Sequence, residues 1–535
     1  MRFIFLLLLF PVLASAQEVT LTDSNLPIFV VTTSQDIPDE PKLTAQLQVF
    51  WQEDGSRNFL SNEEPHYDGF IGIERRGSTS QGFEKTGYGF ETRNADGSNN
   101  NVALLGLPEE NDWVLHGPYS DKSLIRNALA FTLAADMMDY APRVRFCELI
   151  VNDDYRGIYL LIEKIKRDRN RVDIARLRPE DTEGDQLTGG YILKMDKSTG
   201  AVSDGFVSGY RPLEFGWQET YFQFHYPKPD EIQPEQAAYI QDYVAEFENV
   251  LRSNNWLDET DGYRKYLNIE AFIDHMWVQE IARNVDSYRL STYLYKDRDS
   301  LGGKLSMGPA WDYNLAFGNV NYCTGPGYEG WVWDFNDFCP EDTWVIHFWW
   351  ERLREDPEFR SQATERWRSL RTDRLTDSRL RTVVDSLENL LGEAAERNFT
   401  RFPILQEYIW PNPVVLNEWP SEVDQVRQWV LNRVSWMDQY MNVFENTGGR
   451  PNSGLITLEV SPNPSSEDFQ FTFPEGVADL AVELQVFDAQ GRLIHSTTGR
   501  TGNLRWSATG VAKGAYFYRV NLGLRRFEGK LIVVR

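Results

Sequence analysis

The chain has 535 residues, with 54 Lys and Arg against 80 Asp and Glu, a formal charge of −26. So acidic a balance is repelled by nucleic-acid phosphates and anionic membrane surfaces and excludes general affinity for either. With 41% hydrophobic and 13% aromatic residues the chain is no disordered polymer, and its length suits about two to four folding units with real cores.

Chain order begins with Arg2, an apolar run from Phe3 to Phe10 and Ala14-Ser15-Ala16 before Gln17, which reads as a signal peptide over residues 1–16. No later window approaches about 18 uncharged apolar residues, so an exported chain without a transmembrane segment is expected. Gln17 to about Lys85 shows short β-prone runs, Ile28–Thr33 and Leu47–Trp51, separated by Pro, Asn and Asp clusters. Asp121–Met138 carries Leu124, Ile125, Ala128, Leu129, Leu133 and Met137 at helical spacing. Phe146–Val151 and Gly157–Glu163 flank Asn152-Asp153-Asp154-Tyr155 as a hairpin, and Gly190–Met195 is a further strand. Asn268–Arg283 buries one helical face and runs into Asn284-Val285-Asp286. A hairpin of Ser291–Tyr295 and Lys304–Met307 follows and leads to Trp311-Asp312. From Trp344 to about Phe444 the period is helical, with Arg, Asp and Glu alternating on a solvated face. Composition changes again at 446–456, a linker, and residues 457–535 are strand-like with regular turns, a small β-sandwich.

The 3 cysteines of an exported chain allow one disulfide. Cys323 and Cys339 bracket a Gly, Pro and Trp-rich loop and are the expected pair, whereas Cys147 sits in an alternating run and reads as a buried strand residue. There is no C-x-x-C and no H-E-x-x-H, and the 6 histidines are scattered, so no zinc site is indicated. G-x-S-x-G, the P-loop and the G-x-G-x-x-G fingerprint are absent too.

What remains is 284–319. Phosphoryl transfer needs one carboxylate to orient and deprotonate the acceptor hydroxyl and another to hold a divalent cation against the nucleotide phosphates. Asp286 and Asp312, separated by a hairpin, suit those roles, with Ser291 or Asn314 as the additional oxygen donor; a turn-forming Asp is the plainer alternative. Upstream, Arg76, Ser78 and Lys85 could meet phosphate oxygens, or belong to an ordinary tight turn. Lys194 and Asp196 put two charges on one strand face; either the Lys reaches a phosphate or the pair faces solvent. Glu163 either orients a phosphate-binding Lys or forms a surface salt bridge.

Arg76-Gly77-Ser78-Thr79-Ser80 with Lys85, Asp112-Trp113-Val114-Leu115, Asp121-Lys122-Ser123-Leu124-Ile125-Arg126-Asn127, Gly157 to Glu163, and Asp286 with Trp311-Asp312-Tyr313-Asn314 resemble the spore coat protein H (CotH) kinase family. The resemblance spans most of 25–440. It implies an α+β, atypical protein-kinase-like fold with an N-terminal β region and a helical C-terminal part. It also implies ATP with Mg²⁺ or Mn²⁺ as cofactors, and transfer to Ser or Thr of extracytoplasmic proteins or of the chain itself. Asp286 matches the catalytic Asp, Asp312 the metal-binding Asp, and Lys85 the family's basic residue near the phosphates. Ser291 departs from the Asn of many members, which bears on the metal count. The tail, with Ser461-Pro462-Asn463-Pro464, Asp488-Ala489-Gln490-Gly491-Arg492, Gly514-Ala515-Tyr516-Phe517 and Lys530-Leu531-Ile532-Val533, is similar to the type A C-terminal sorting domain of the type IX secretion system of Bacteroidota. That implies Sec export, then passage to the outside or the cell surface, with the secretion machinery as a partner.

The domains expected are therefore 1–16 leader, 17–445 kinase-like, 446–456 linker and 457–535 sorting. Two other readings compete. One is a pseudokinase serving as a surface binding module through exposed rings among its 17 Trp and 24 Tyr; the other is a carboxylate-pair glycosidase, for which the sequence selects no pair.

Overall fold

A computed structural model describes residues 18–61, 64–198, 204–213, 216–447, 458–473, 481–500, 504–522 and 525–534. The leader and 448–456 of the expected linker lie outside them. The chain divides into two compact units, up to Tyr440 and from Met441 onward. The first is mixed α/β, rich in strands at its start and in helices later, and the second is built of strands.

Seven strands close a barrel in the order Ile28–Thr32, Leu43–Phe50, Tyr67–Arg76, Gly87–Arg93, Asp112–His116, Asp154–Glu163 and Val144–Val151. Period-2 alternation makes it: Leu47 and Val49, Ile71 and Ile73, Trp113 and Leu115, Cys147 and Leu149, and Tyr159 and Leu161 all point into one apolar core. Cys147 is fully buried there. The turn at Asn152 and Asp153 has φ of 50° and 66°, the left-handed pair that matches hairpin twist. Ile28–Thr32 then pairs in parallel with Val144–Val151 and closes the barrel.

A second, antiparallel sheet has the order Gly205–Val207, Tyr221–Tyr226, Tyr191–Met195, Thr292–Lys296, Leu305–Met307. The expected hairpin is its last two strands, with Leu294 opposite Met307. The helix before it, Ile269–Ala282, starts where the Asn268 side chain accepts from the Ala271 amide and ends at Arg283, whose φ is 42°. The helix expected over Asp121–Met138 is shorter, Arg126–Ala135. Leu124 has a φ of 69°, outside helical space, and the Asp121 carboxylate accepts from Ser123 Oγ and the Arg126 amide, so 121–125 is a turn. The long helical stretch after Trp344 resolves into Trp349–Glu355, Pro357–Thr372, Asp377–Arg401 and Trp419–Thr447. Cys323 and Cys339 are joined by a disulfide, their Cα atoms 5.7 Å apart.

In the second unit, sheets of three strands (Glu459–Ser461, Asp468–Thr472, Arg505–Ser507) and four strands (Leu493–Arg500, Ala481–Phe487, Gly514–Leu522, Arg525–Val533) share one core. Phe469, Phe471 and Trp506 of the first meet Leu484, Val486 and Leu531 of the second, which makes the unit a sandwich.

Candidate active site

A cleft of about 530 Å³ lies against the outer face of the barrel strands that end in Arg76 and His116. Its other walls are Lys194 and Asp196, the segment Asp286–Ser291 and the segment Trp311–Leu315. Asp286 and Asp312, which the sequence offers as partners, therefore share one cavity.

Each of the two Asp-bearing loops is fixed by backbone hydrogen bonds from side chains, not by a sheet. Asn284 accepts from the Asp286 amide at 3.3 Å and donates to the Asp312 carbonyl at 2.9 Å, so one amide spans both loops. Asn127 accepts from the Tyr313 amide at 2.7 Å, and Arg126 Nε donates to the Ala316 carbonyl at 3.1 Å. Arg126 is held in turn by Asp121 at 2.6 Å, both side chains 2% exposed. The run Asp121 to Asn127 thus serves the site from a distance, by fixing the loop that carries Asp312. Tyr288, Ser291 and Asp312 have φ of 67°, 47° and 66°. For non-glycine residues such conformations cost about 1–3 kcal/mol each, and they persist where the surroundings enforce them, commonly at functional sites.

Charge is dense here. Arg289, 3% exposed, pairs with Asp286 at 2.9 Å and with Asp342 at 3.3 Å, and its guanidinium lies 4.2 Å from the Phe335 ring centre. Burial raises the Asp286 pKa, with Arg289 opposing. Asp312 is open to water inside the cleft, yet its packed surroundings and then the Asp286 charge push its carboxyl up to about 6, against Lys194 and Arg76. Lys194 forms an ion pair with Asp196, and the Ser291 hydroxyl stands 3.4 Å from an Asp312 oxygen and 3.5 Å from an Asp196 oxygen.

Among the described residues no three His, Cys, Asp or Glu side chains form a ready metal cage. That donor set nonetheless suits Mg²⁺ or Mn²⁺. Mg²⁺ commonly takes one or two carboxylates and completes its shell with phosphate and water, and Asp312, the Ser291 hydroxyl and Asp196 are hard oxygen donors gathered on one side of the cleft. The raised Asp312 pKa follows first from its packed surroundings and then from the Asp286 charge beside it, which a bound cation would offset.

Of the residues singled out from the sequence, Arg76, Ser78, Lys194, Asp286, Ser291, Asp312 and Asn314 all line the cleft. Two lie elsewhere. The Lys85 ammonium is buried and donates to Asn398 Oδ1 at 2.6 Å, with the Tyr159 and Phe402 rings beside it, so it does not meet the cleft. Burial pulls it well below the usual lysine range. Glu163 is fully buried and accepts from Arg143 at 2.9 Å and from the Tyr140 hydroxyl at 3.2 Å, instead of orienting a lysine. Its strand alternates, and position 163 falls on the face away from the cleft-lining Ile162. Asp196, Arg289, Asn284 and Asn127 enter the site without having been given a role in it. Asn127 and Asn284 stood inside or beside recognisable motifs; nothing in the sequence marks Arg289.

Residues 73–437 match the family model described as CotH kinase protein, and 459–534 match the secretion system C-terminal sorting domain, in that order along the chain. No curated protein matches the sequence. The first match covers more than half of the 535 residues, and the chain belongs to the CotH kinase protein family.

Proposed function

We propose that this is a secreted CotH-type protein kinase, built on an atypical kinase-like fold, which transfers the γ-phosphoryl group of ATP to a Ser or Thr hydroxyl of an extracytoplasmic protein or of itself. The observation that carries this reading is the convergence of Asp286 and Asp312, from loops on either side of a hairpin, on one cleft with Arg76 and Lys194. Asp286 orients the acceptor hydroxyl and takes its proton as the oxygen bonds to the γ-phosphorus. The bond from phosphorus to the β,γ-bridging oxygen breaks, and ADP leaves with that electron pair. Arg289 holds the Asp286 carboxylate in place, leaving one oxygen for the acceptor. Arg76 and Lys194 offset negative charge on the phosphates. A divalent cation on Asp312, with the Ser291 hydroxyl, Asn314 or Asp196 as further oxygen donors, would supply charge neutralisation of the β- and γ-phosphates.

The test is incubation of the full chain with γ-labelled ATP and Mg²⁺ or Mn²⁺. Label on the parent or an added protein, and none with Asp286→Asn or Asp312→Asn, supports transfer; label equal in all three refutes the assignment. One feature favours a second reading. The Arg289 ion pair stabilises the ionised Asp286 and opposes the burial that raises its pKa, and a catalytically weak pseudokinase acting as a surface binding module would bind ATP in this cleft without transferring label.

We infer that the leader and the tail send the protein out by Sec and then the type IX route, to the cell surface or the outside. The segment 446–456 is taken as the linker between 17–445 and 457–535. Deleting 457–535 should leave the protein in the periplasm, and surface display without the tail would overturn this.

A further inference from the structure

The barrel strands beneath the cleft form a trough of which the roles above use only Arg76. Arg76 lies opposite Gly87 in the sheet. Tyr88 lies opposite Leu115 on the next strand, so Gly87 is one step from His116. Tyr88 and Leu115 point into the barrel core, so Arg76, Gly87 and His116 stand in a row on the outer face. The two flanking side chains are two strand spacings apart, roughly 10 Å. Between them is a residue with no side chain. A Cβ on Gly87 would find only backbone nearby, the Arg76 and Leu115 carbonyl oxygens at 3.5 Å and the Gly117 nitrogen at 4.0 Å, so the floor is open and a methyl would occupy it. All three residues line the cleft.

The protonation of His116 follows from its neighbour. The Asn127 Oδ1 accepts from the Tyr313 amide at 2.7 Å, which orients that amide group. The Asn127 Nδ2 then faces His116 Nε2 at 3.0 Å and, being an NH₂, must donate. Nε2 is the acceptor, and the proton of the neutral ring sits on Nδ1. Burial keeps the imidazole neutral, its pKa pushed down to about 4, with the Arg76 and Lys85 charges acting in the same sense and Asp121 against. The trough therefore has a guanidinium on one wall, a neutral N–H donor on the other and a bare floor, the complement of a tetrahedral oxyanion.

We propose that His116 is a nucleotide-binding residue whose Nδ1–H donates to a phosphate oxygen of ATP lying over Gly87, across from Arg76. This rests on the nucleotide reading above and adds a contact with a further consequence. Asn127 bridges His116 and the Tyr313 amide, so the ring that meets the phosphate and the loop that carries Asp312 are held by one side chain.

Calorimetric titration of the full chain with ATP and with adenosine separates a phosphate contact from a base contact. His116→Phe should weaken ATP binding about tenfold, the worth of one hydrogen bond to a charged acceptor, and leave adenosine unchanged. His116→Gln, which keeps an N–H donor, should recover most of the loss. Gly87→Val, which fills the floor while leaving the ring in place, should weaken ATP selectively as well. ATP affinity unchanged in both His116→Phe and Gly87→Val, or adenosine weakened as much as ATP, would overturn the proposal while leaving nucleotide binding intact. A parent that binds neither ATP nor adenosine would overturn both readings.

Discussion

Two acids six residues apart on one stretch of chain, Glu280 and Asp286, each pair with an arginine, and the two pairs are built to opposite ends. Glu280 and Arg433 are both fully buried, 3.0 Å apart. The Glu280 carboxylate also accepts from the Val332 and Trp333 amides at 2.9 and 3.0 Å and from the Tyr288 hydroxyl at 3.0 Å. Arg433 spends its remaining donors on the carbonyls of Glu280, Tyr328 and Gly330. Asp286, by contrast, has one ion pair, with Arg289, and its side chain is 26% exposed to the cleft. A carboxylate with every lone pair satisfied can only hold structure; a carboxylate left with an open oxygen can accept a proton or a hydroxyl. The comparison predicts that the first pair fails in stability with activity following, and the second in activity alone.

The largest effect should come from Asp286→Asn. Loss of a positioned general base costs about 10²–10⁴-fold in rate, and the substitution should leave the melting temperature near that of the parent, since no buried partner is stranded apart from Arg289, which keeps Asp342 and the Trp344 carbonyl. A variant that loses rate and stability together would place Asp286 in the structural class.

Glu280→Gln should do the reverse. It leaves the Arg433 charge buried with no counter-ion, and breaking such a pair costs about 3–5 kcal/mol, read by denaturant unfolding. The effect should spread to the segment 328–333, which carries the amides and carbonyls that this pair binds. Full stability in Glu280→Gln would mean that the backbone bonds alone hold that segment.

Cys323→Ser and Cys339→Ser test the same region from its covalent end. The bridge closes a loop with a sequence separation of 16, for which loop entropy predicts about 3 kcal/mol. Asp342, three residues beyond Cys339, pairs with Arg289, and Tyr322 beside Cys323 lines the cleft. Reduction should therefore lower activity more than it lowers ATP affinity, compared by rate and titration on the same sample.

Why the two pairs could not both be found in the sequence follows from what each needs. That Asp286 and Asp312 share one cleft was legible because the hairpin between them brings the residues on either side to the same end of the sheet. The Ile269–Ala282 helix and the hairpin after it were legible from period and turn residues. Glu280 looks like any helical acid, since its partners come from 332–333 and 433, and no periodicity carries that information. The same holds for Arg289, whose second partner is 53 residues away. Lys85 shows the converse error. A lysine within a phosphate-binding motif reads as a phosphate contact, but Lys85 lies in the bend before Gly87–Arg93 and its ammonium donates to Asn398, 313 residues later. The closed barrel was read only as a β region, because the strands Tyr67–Arg76, Gly87–Arg93 and Asp112–His116 are identified by pairing that the sequence pattern does not state.

The smallest and sharpest test is the pH response of Asp312. Its carboxyl is raised to about 6 from an ordinary 3.8, so the folded state holds this proton more tightly than the unfolded chain does. The associated stability is present below about pH 4 and is lost as pH rises through 6. Asp312→Asn removes the like charge beside Asp286 and Asp196. It should raise the melting temperature at pH 8, and the gain should vanish at pH 4, where the parent is already neutral at this position. Transfer should respond in the opposite direction, because the ionised carboxylate is the one that holds a cation: at pH 5 a group of this pKa is about tenfold less ionised than at pH 8. A protein that gains stability on losing Asp312, yet loses transfer, carries that charge for its chemistry. Destabilisation of Asp312→Asn at pH 8 would instead make Asp312 a loop-fixing residue like Asp121, and the distinction between the two classes of acid would then fail at the position where it matters most.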